Sequence, residues 1–337
     1  MRKIKLGILD QSVVRAGSSA KDAIEETIET VILAEELGYT RFWVSEHHNS
    51  KFIAGSAPEI LMVKLASVTK TIRIGSGGVM LPNHSAYKVA ENFRMLETLF
   101  PGRIDLGMGR APGTDRVASS LLNPSNDMRV DNYPTQINHL QHFFRDTATT
   151  EHGRILAAPI AETIPQQWIL SSSGGSSQIA AEFGMGLSVA KFINGHVTRR
   201  IVDEYRASFK PSDQLSEPQA FVSIFVLCGE TEEVAAKMRK GQDYIFLQFE
   251  KGSVRKFPDN DFIENYEFTD LELERLRFNA GKVISGTKES VRDQLLELAK
   301  TFDVDEIMIS TMSDSKENRM KSFELIAEAF DLKNQTI

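Results

Sequence analysis

The tripeptide Glu46-His47-His48 follows the apolar run Phe42-Trp43-Val44, where a buried segment gives way to polar sequence. An imidazole exchanges protons near neutral pH, and a carboxylate beside it can tune that exchange. Metal ligation by Glu46, His47, His48 and His84 is a competing chemistry. Adjacent strand residues point to opposite faces, so His47 and His48 do not reach one ion unless the chain turns sharply, and no metal is expected. A second group of residues suits an anion. The segment Ser171-Ser172-Ser173-Gly174-Gly175-Ser176-Ser177 joins an apolar run to a helical pattern starting near Ser176. Free backbone N–H groups at a helix start bind phosphate, with hydroxyls such as Ser172, Ser173 and Ser176 as further donors. Arg110, at the end of Gly107-Met108-Gly109-Arg110, offers the counter-charge. Each segment alone also fits a serine-rich cap or a structural ion pair. Their occurrence after adjacent strands favours a phosphate. Gly77-Gly78 permits a flat ligand to approach the backbone closely, or else marks a β-bulge.

The elements that must position these residues alternate along the chain, short β-rich runs followed by amphipathic helical patterns, which is the signature of βα units in a parallel sheet. Eight strands are expected, at Leu6 to Asp10, Phe42 to Val44, from Ile72, Ile104 to Gly107, Trp168 to Leu170, Leu187 to Ala190, Ala220 to Leu227 and Glu306 to Ser310. The first helix carries Ile24, Ile28, Val31 and Ile32 on one face and stops at Gly38. Eight units predict a closed (β/α)8 TIM barrel. An open doubly wound sheet uses the same alternation, but the first strand runs into Asp10-Gln11-Ser12 with no dinucleotide-binding glycine turn. Two stretches exceed simple connections, Ala111 to Pro165 after strand 4 and Gly229 to Ser285 after strand 7, and both are read as insertions, the first with a helix bearing Ile137, Leu140, Phe143 and Phe144. Residues 1–337 are taken as one domain. In such barrels the site lies where strands end, and the chemically suggestive segments all follow predicted strands.

Bulk composition narrows the partners. A net charge of −7 with scattered basic residues disfavours nucleic acid and anionic membrane surfaces, leaving a small molecule. The 41% hydrophobic and 25% charged residues are ordinary for a globular protein. The single cysteine, Cys228, lies in an apolar run and reads as a buried hydrophobe. No apolar stretch approaches membrane-spanning length or a signal-peptide core, so a cytoplasmic location is expected.

Taken jointly, Phe42-Trp43-Val44-Ser45-Glu46-His47-His48-Asn49, the stretch from Ile74 to His84 and the stretch from Phe100 to Gly113 resemble the bacterial luciferase-like, flavin-dependent monooxygenases, in particular their single-gene members. Trp168 to Gly174 and Asp305 to Met308 fit in order. The resemblance implies reduced FMN as cofactor, supplied by a separate flavin reductase, with O2 acting on a small organic substrate, aldehyde-like or other. It implies that His47 is the catalytic histidine with Glu46 its neighbour in the pocket, and that Gly77-Gly78 forms a non-proline cis peptide against the flavin ring. Gly109, Arg110, Ser172, Ser173, Gly174 and Ser176 would hold the FMN end. A homodimer is implied too, and the nearly unbroken Ile60, Leu61, Met62, Val63 and Leu65 agree with it. Gly109 stands where the light-emitting enzymes carry a cysteine, so light emission is not implied. A deazaflavin (F420)-dependent reductase or dehydrogenase and a non-catalytic flavin-binding protein remain the alternatives. Arg15, Phe52 and the segment after Ala111 are expected along the substrate pocket.

Overall fold

The computed structural model describes residues 3–111, 113–122, 132–252 and 256–335. In chain order the elements are β1 (Lys5–Asp10), α1 (Ala20–Leu37), β2 (Arg41–Val44), α2 (Pro58–Ser67), β3 (Arg73–Met80), α3 (Ala86–Leu99), β4 (Ile104–Gly109), α4 (Arg116–Leu122), α5 (Asn132–Phe144), β5 (Thr149–Thr150), β6 (Gly153–Arg154), β7 (Gln166–Ser171), α6 (Gly175–Glu182), β8 (Gly186–Ala190), α7 (Arg200–Ser208), β9 (Ala220–Cys228), α8 (Glu232–Glu250), α9 (Asn260–Asn265), α10 (Asp270–Asn279), β10 (Val283–Gly286), α11 (Lys288–Phe302), β11 (Glu306–Ser310) and α12 (Lys316–Phe330). Parallel pairing runs β1-β2-β3-β4-β7-β8-β9-β11 and returns to β1, closing an eight-stranded barrel. All eight predicted strands fall on barrel strands. The predicted insertions are α4, α5 and the β5-β6 hairpin after β4, and α8, α9, α10 and β10 after β9. β10 was not expected; it pairs with Phe225 to Cys228, the part of β9 beyond its pairing with β8.

The barrel interior is filled by Leu9, Trp43, Trp168, Phe221 and Met308. Trp43 packs edge-on to Trp168 at 6.0 Å and to Phe221 at 5.2 Å between ring centroids. Two indoles fit only because facing positions lack side chains. A β-carbon on Gly75 would stand 2.4 Å from Trp43 Nε1, and one on Gly186 would stand 2.2 Å from the Trp168 ring. Beneath them, fully buried Asp105 accepts hydrogen bonds from Trp43 Nε1 at 2.9 Å, Arg41 Nη1 at 2.7 Å and Arg73 Nε at 2.8 Å. Arg41 also donates from Nε to Glu306 at 2.6 Å and lies 4.8 Å from the Trp168 ring centroid.

Helix α1 begins with a capping box at Ser19 and Asp22 and ends on Gly38 in the left-handed region at φ 90°. Its inward face differs from the expected one. Ala23, Glu26, Thr27, Thr30, Val31 and Ala34 are buried, whereas Ile32 is exposed. The reason is electrostatic: Arg319 of α12, itself buried, bonds to Asp10 and, at 2.9 Å, to Glu26 and Thr30, and so draws the polar edge of α1 inward. Arg15 joins the same network through both Glu26 oxygens and the Ser313 carbonyl. Arg15 is therefore part of the seam between β1 and β11 and is removed from the expected pocket wall.

Gly75→Ala should lower stability by about 1–3 kcal/mol, the usual cost of overfilling a packed core, since Trp43 is tethered to Asp105 and cannot move aside. Denaturant unfolding with an unchanged midpoint would contradict this packing.

Candidate active site

The exits of β2, β3, β4 and β7 gather the segments singled out in the sequence. Beyond Val44 the chain leaves strand geometry: the His47 N–H donates to the Gly55 carbonyl at 2.9 Å, the His48 N–H donates to the Gly113 carbonyl at 3.2 Å, and Asn49 has φ 51°. Strand alternation consequently fails here. His47 and His48 both line one cleft of about 640 Å³, together with Phe52, Ile53, Asp115 and Phe249. His48, expected to point away from His47, faces the same space. Of the expected pocket segment after Ala111, residues 113–115 line the cleft, while Pro112 and residues 123–131 lie outside the described residues.

Glu46 is not in the cleft wall beside His47, as expected, but buried behind it at 1% exposure. Its Oε1 receives Nε2 of His48 and Nε2 of His84, each at 2.7 Å, and its Oε2 accepts the Met80 backbone N–H at 2.8 Å. Burial pushes the Glu46 carboxyl up, but hydrogen bonds from His84, His48 and Met80 outweigh it and hold the group below the usual carboxylate range. Burial opposes charging of His84, and the bond to Glu46 overcomes this and raises it. For His47 burial prevails over the attraction of Glu46, so it is lowered and favours the neutral ring. The ligand atoms of Glu46, His48 and His84 lie within 4.8 Å of one another, close enough to surround an ion. At 2.7 Å, however, their spacing is that of charge-assisted hydrogen bonds, tighter than donors spread around an ion with bonds of about 2.0–2.1 Å. Local spacing did not signal this group, because the irregular exit of β2 and the distant His84 bring it together.

The Gly77-Gly78 peptide is cis, and the β3-β4 register slips between Gly77 and Val79, so the glycine pair carries both features considered from the sequence. Side chains are excluded on both: a β-carbon would meet Leu9 Cδ1 at 2.6 Å from Gly77 and the Gly107 carbonyl oxygen at 2.8 Å from Gly78. Gly109 lies against Met80, whose Cε would be 2.8 Å from an added β-carbon. At the ends of β2 and β7 the buried hydroxyls of Ser45 and Ser171 have no partner among the described residues. Such orphaned groups are uncommon and suit a polar ligand laid across the strand ends.

Helix α6 starts at Gly175 after Gly174, which has φ 92°, and no side chain caps its first N–H groups. The Arg110 guanidinium stands over this start, with Nη1 3.8 Å from where a β-carbon on Gly175 would be. Among the described residues Arg110 has neither a carboxylate nor a hydrogen-bond partner, and the hydroxyls of Ser172, Ser173 and Ser176 are likewise unengaged. Ser176 is buried, Ser172 half-buried and Ser173 exposed. The Ser177 N–H is taken by the Gly174 carbonyl at 3.1 Å, but the Gly175 and Ser176 N–H groups, a guanidinium and hydroxyls without partners among the described residues together would suit an anion. Since Arg110 holds nothing together among the described residues, Arg110→Ala should change unfolding free energy by no more than about 0.5 kcal/mol. A sharp fall in melting temperature would mark Arg110 as structural.

Comparison with known proteins identifies the family. The family model for luciferase-like monooxygenases matches residues 4–304. A luciferase-like monooxygenase of Escherichia coli (strain K12) is 34% identical over 338 residues, covering 100% of this chain and 99% of its own. The N-acetyl-S-alkylcysteine monooxygenase of Bacillus subtilis (strain 168) is 34% identical over 329 residues, with 97% and 98% covered. The crystal structure of apo-MsnO8 superposes with a TM-score of 0.91 at 33% identity, covering 98% of this chain and 99% of that one. At the level of fold alone, the oxygenating constituent of 3,6-diketocamphane monooxygenase, solved with FMN, gives 0.70 at 16% identity with 97% of both chains covered, and an F420-dependent secondary alcohol dehydrogenase gives 0.69 at 13%, with 97% and 99% covered. With its closed barrel, its glycine-lined β3 and a family match across nearly its whole length, this chain belongs to the luciferase-like monooxygenases.

Proposed function

We propose that this protein is an oxidoreductase that binds reduced FMN at the mouth of the barrel and uses it with O2 to oxygenate a small organic substrate. The observation that carries the reading is the pairing of the bare Gly77-Gly78 backbone with the Arg110 and α6 cradle at the same rim. The first admits a flat ring and the second a phosphate. Gly109, Ser172, Ser173, Gly174 and Ser176 border the cradle, and the unpartnered hydroxyls of Ser45 and Ser171 fit a polar ring edge. Bound reduced flavin supplies the activation of oxygen. The chain orients the ring, excludes water from it and handles protons, with His47 as the group in the cleft for that purpose and Glu46 acting from behind the wall. Phe52, Ile53 and Phe249 give the cleft an apolar side suited to an alkyl group, whether of an aldehyde or of a thioether. Reduced FMN would come from a separate reductase. An F420-dependent reaction is the competing reading, and the absorption spectrum of the cofactor retained on purification distinguishes the two.

Arg110→Ala should weaken FMN binding by about 1.5–3 kcal/mol, the worth of a hydrogen bond to a charged group, or roughly 10- to 150-fold in the dissociation constant. Fluorescence titration measures it, and unchanged affinity would place the phosphate elsewhere. His47→Ala should keep near-normal FMN affinity while oxygen uptake with reductase-supplied FMN and a long-chain aldehyde falls roughly 10²- to 10⁴-fold. Equal turnover in variant and wild type would favour a non-catalytic flavin carrier.

The same reading includes a homodimer. On α2 and α3, Ile60, Met95 and Leu99 are exposed at 76%, 49% and 51%, and Val63 of α2 and Ile32 of α1 are exposed too. An apolar face of this extent on neighbouring helices is costly in water unless covered. Light scattering should give twice the chain mass for the wild type and the single mass for Ile60→Glu combined with Leu99→Glu. A monomeric wild type at micromolar concentration counts against the dimer.

A further inference from the structure

Glu46, His48 and His84 are not absorbed by a role for His47 alone. An ionised carboxylate only accepts hydrogen bonds. Two ring nitrogens at 2.7 Å from the same Oε1 must therefore both present N–H, or lone pairs would face each other at that distance. Both Nε2 atoms are thus protonated, and in a neutral His48 ring the bare, basic nitrogen is Nδ1. That atom has no partner among the described residues, and the ring lines the cleft. A carboxylate behind an imidazole, fixing its tautomer and stabilising the imidazolium once it forms, is the arrangement that makes histidine an effective base.

We propose that the Glu46 carboxylate orients His48 as a second proton acceptor of the cleft, acting at Nδ1, with His84 as the counter-ion that keeps the carboxylate in place. The step is a simple transfer: Nδ1 takes a proton from a donor in the cleft, Nε2 keeps its own, and the ring becomes an imidazolium beside Glu46. Glu46 is a positioning residue. Its Oε2 is pinned by the Met80 N–H, two residues beyond Gly78, so the unit is anchored to the glycine strand. Among the described residues the charges facing it are His47 next to His48, Lys51 and Asp115 at the edge of the cleft, and Glu59 of α2 opposite His84. The use of His48 in turnover rests on the flavin reading, whereas its tautomer does not.

The tautomer is read in the full chain labelled with ¹⁵N-histidine, by long-range ¹H–¹⁵N correlation. The expected spectrum shows His48 protonated at Nε2 and bare at Nδ1 at a pH where it is neutral. A ring protonated at Nδ1 instead overturns the proposal, with or without flavin. For turnover, His48→Ala should retain FMN affinity in a fluorescence titration and lose oxygen uptake roughly 10²- to 10⁴-fold, and added imidazole should restore part of the rate. Glu46→Gln should lose the fixed His48 tautomer in the same ¹H–¹⁵N correlation, because no carboxylate then holds the Nε2 proton. A His48→Ala rate that is unchanged, or reduced and not rescued by imidazole, overturns the acceptor role. Wild-type protein that never consumes oxygen with reduced FMN sinks the flavin reading and leaves the tautomer result standing.

Discussion

The packing of Trp43 against strands stripped of side chains is the constraint on which the barrel and its mouth depend. The indole is held by its N–H on Asp105, which is held in turn by Arg41 and Arg73. With Trp43 fixed, β3 and β4 must carry glycine where they pass it: a β-carbon on Gly75 or Gly77, or on Gly107 of β4, would come within 2.4, 3.2 and 3.0 Å of the indole or its β-carbon. The same run of glycines continues to Gly78 at the rim. A strand emptied of side chains to seat an aromatic plug below thus presents bare backbone above, and the site inherits its flat floor from the packing of the core.

Charge is used at three levels of the barrel, and each time a carboxylate is shared by several donors. Asp105 serves the interior end, Asp10 and Glu26 the seam where β1 meets β11, and Glu46 the rim. Removing charges from water costs several kcal/mol per ion, and breaking such pairs one-sidedly is strongly destabilising, so these networks fix geometry more than they add net stability. The arginines suit this role, since a planar guanidinium keeps its charge and spans two acceptors. Arg110 is different because it meets no carboxylate among the described residues, and a guanidinium at a helix start with no side-chain cap among them suits an anionic ligand.

The architecture was legible because barrel strands are buried on both faces and so appear as continuous apolar runs, such as Phe221 to Leu227. Gly38 marked the end of α1 and the serine-glycine segment marked the start of α6. The inward face of α1 was not legible, since hydrophobicity pointed to Ile24 and Ile32 whereas Arg319, nearly 300 residues away, recruits Glu26. Nor could the partner of Glu46 be read from adjacency. The irregular exit of β2 turns His47 and His48 toward one cleft, and His84 arrives from another strand exit. Arg15 was lost to the pocket for the same reason, a long-range ion pair invisible to local pattern. In each case the missing information was a contact between distant segments.

The most direct test of the central claim, that the rim of this barrel grips a flavin by its phosphate as well as its ring, is a comparison of FMN and riboflavin binding to the wild-type protein at equal ionic strength. The two ligands share the ring and differ in the phosphate. A cradle built from Arg110, the α6 N–H groups and the serine hydroxyls predicts that riboflavin binds at least about 100-fold more weakly, the worth of two or more charge-assisted hydrogen bonds. Equal affinities would show that the helix start and Arg110 hold no phosphate, and would contradict the account.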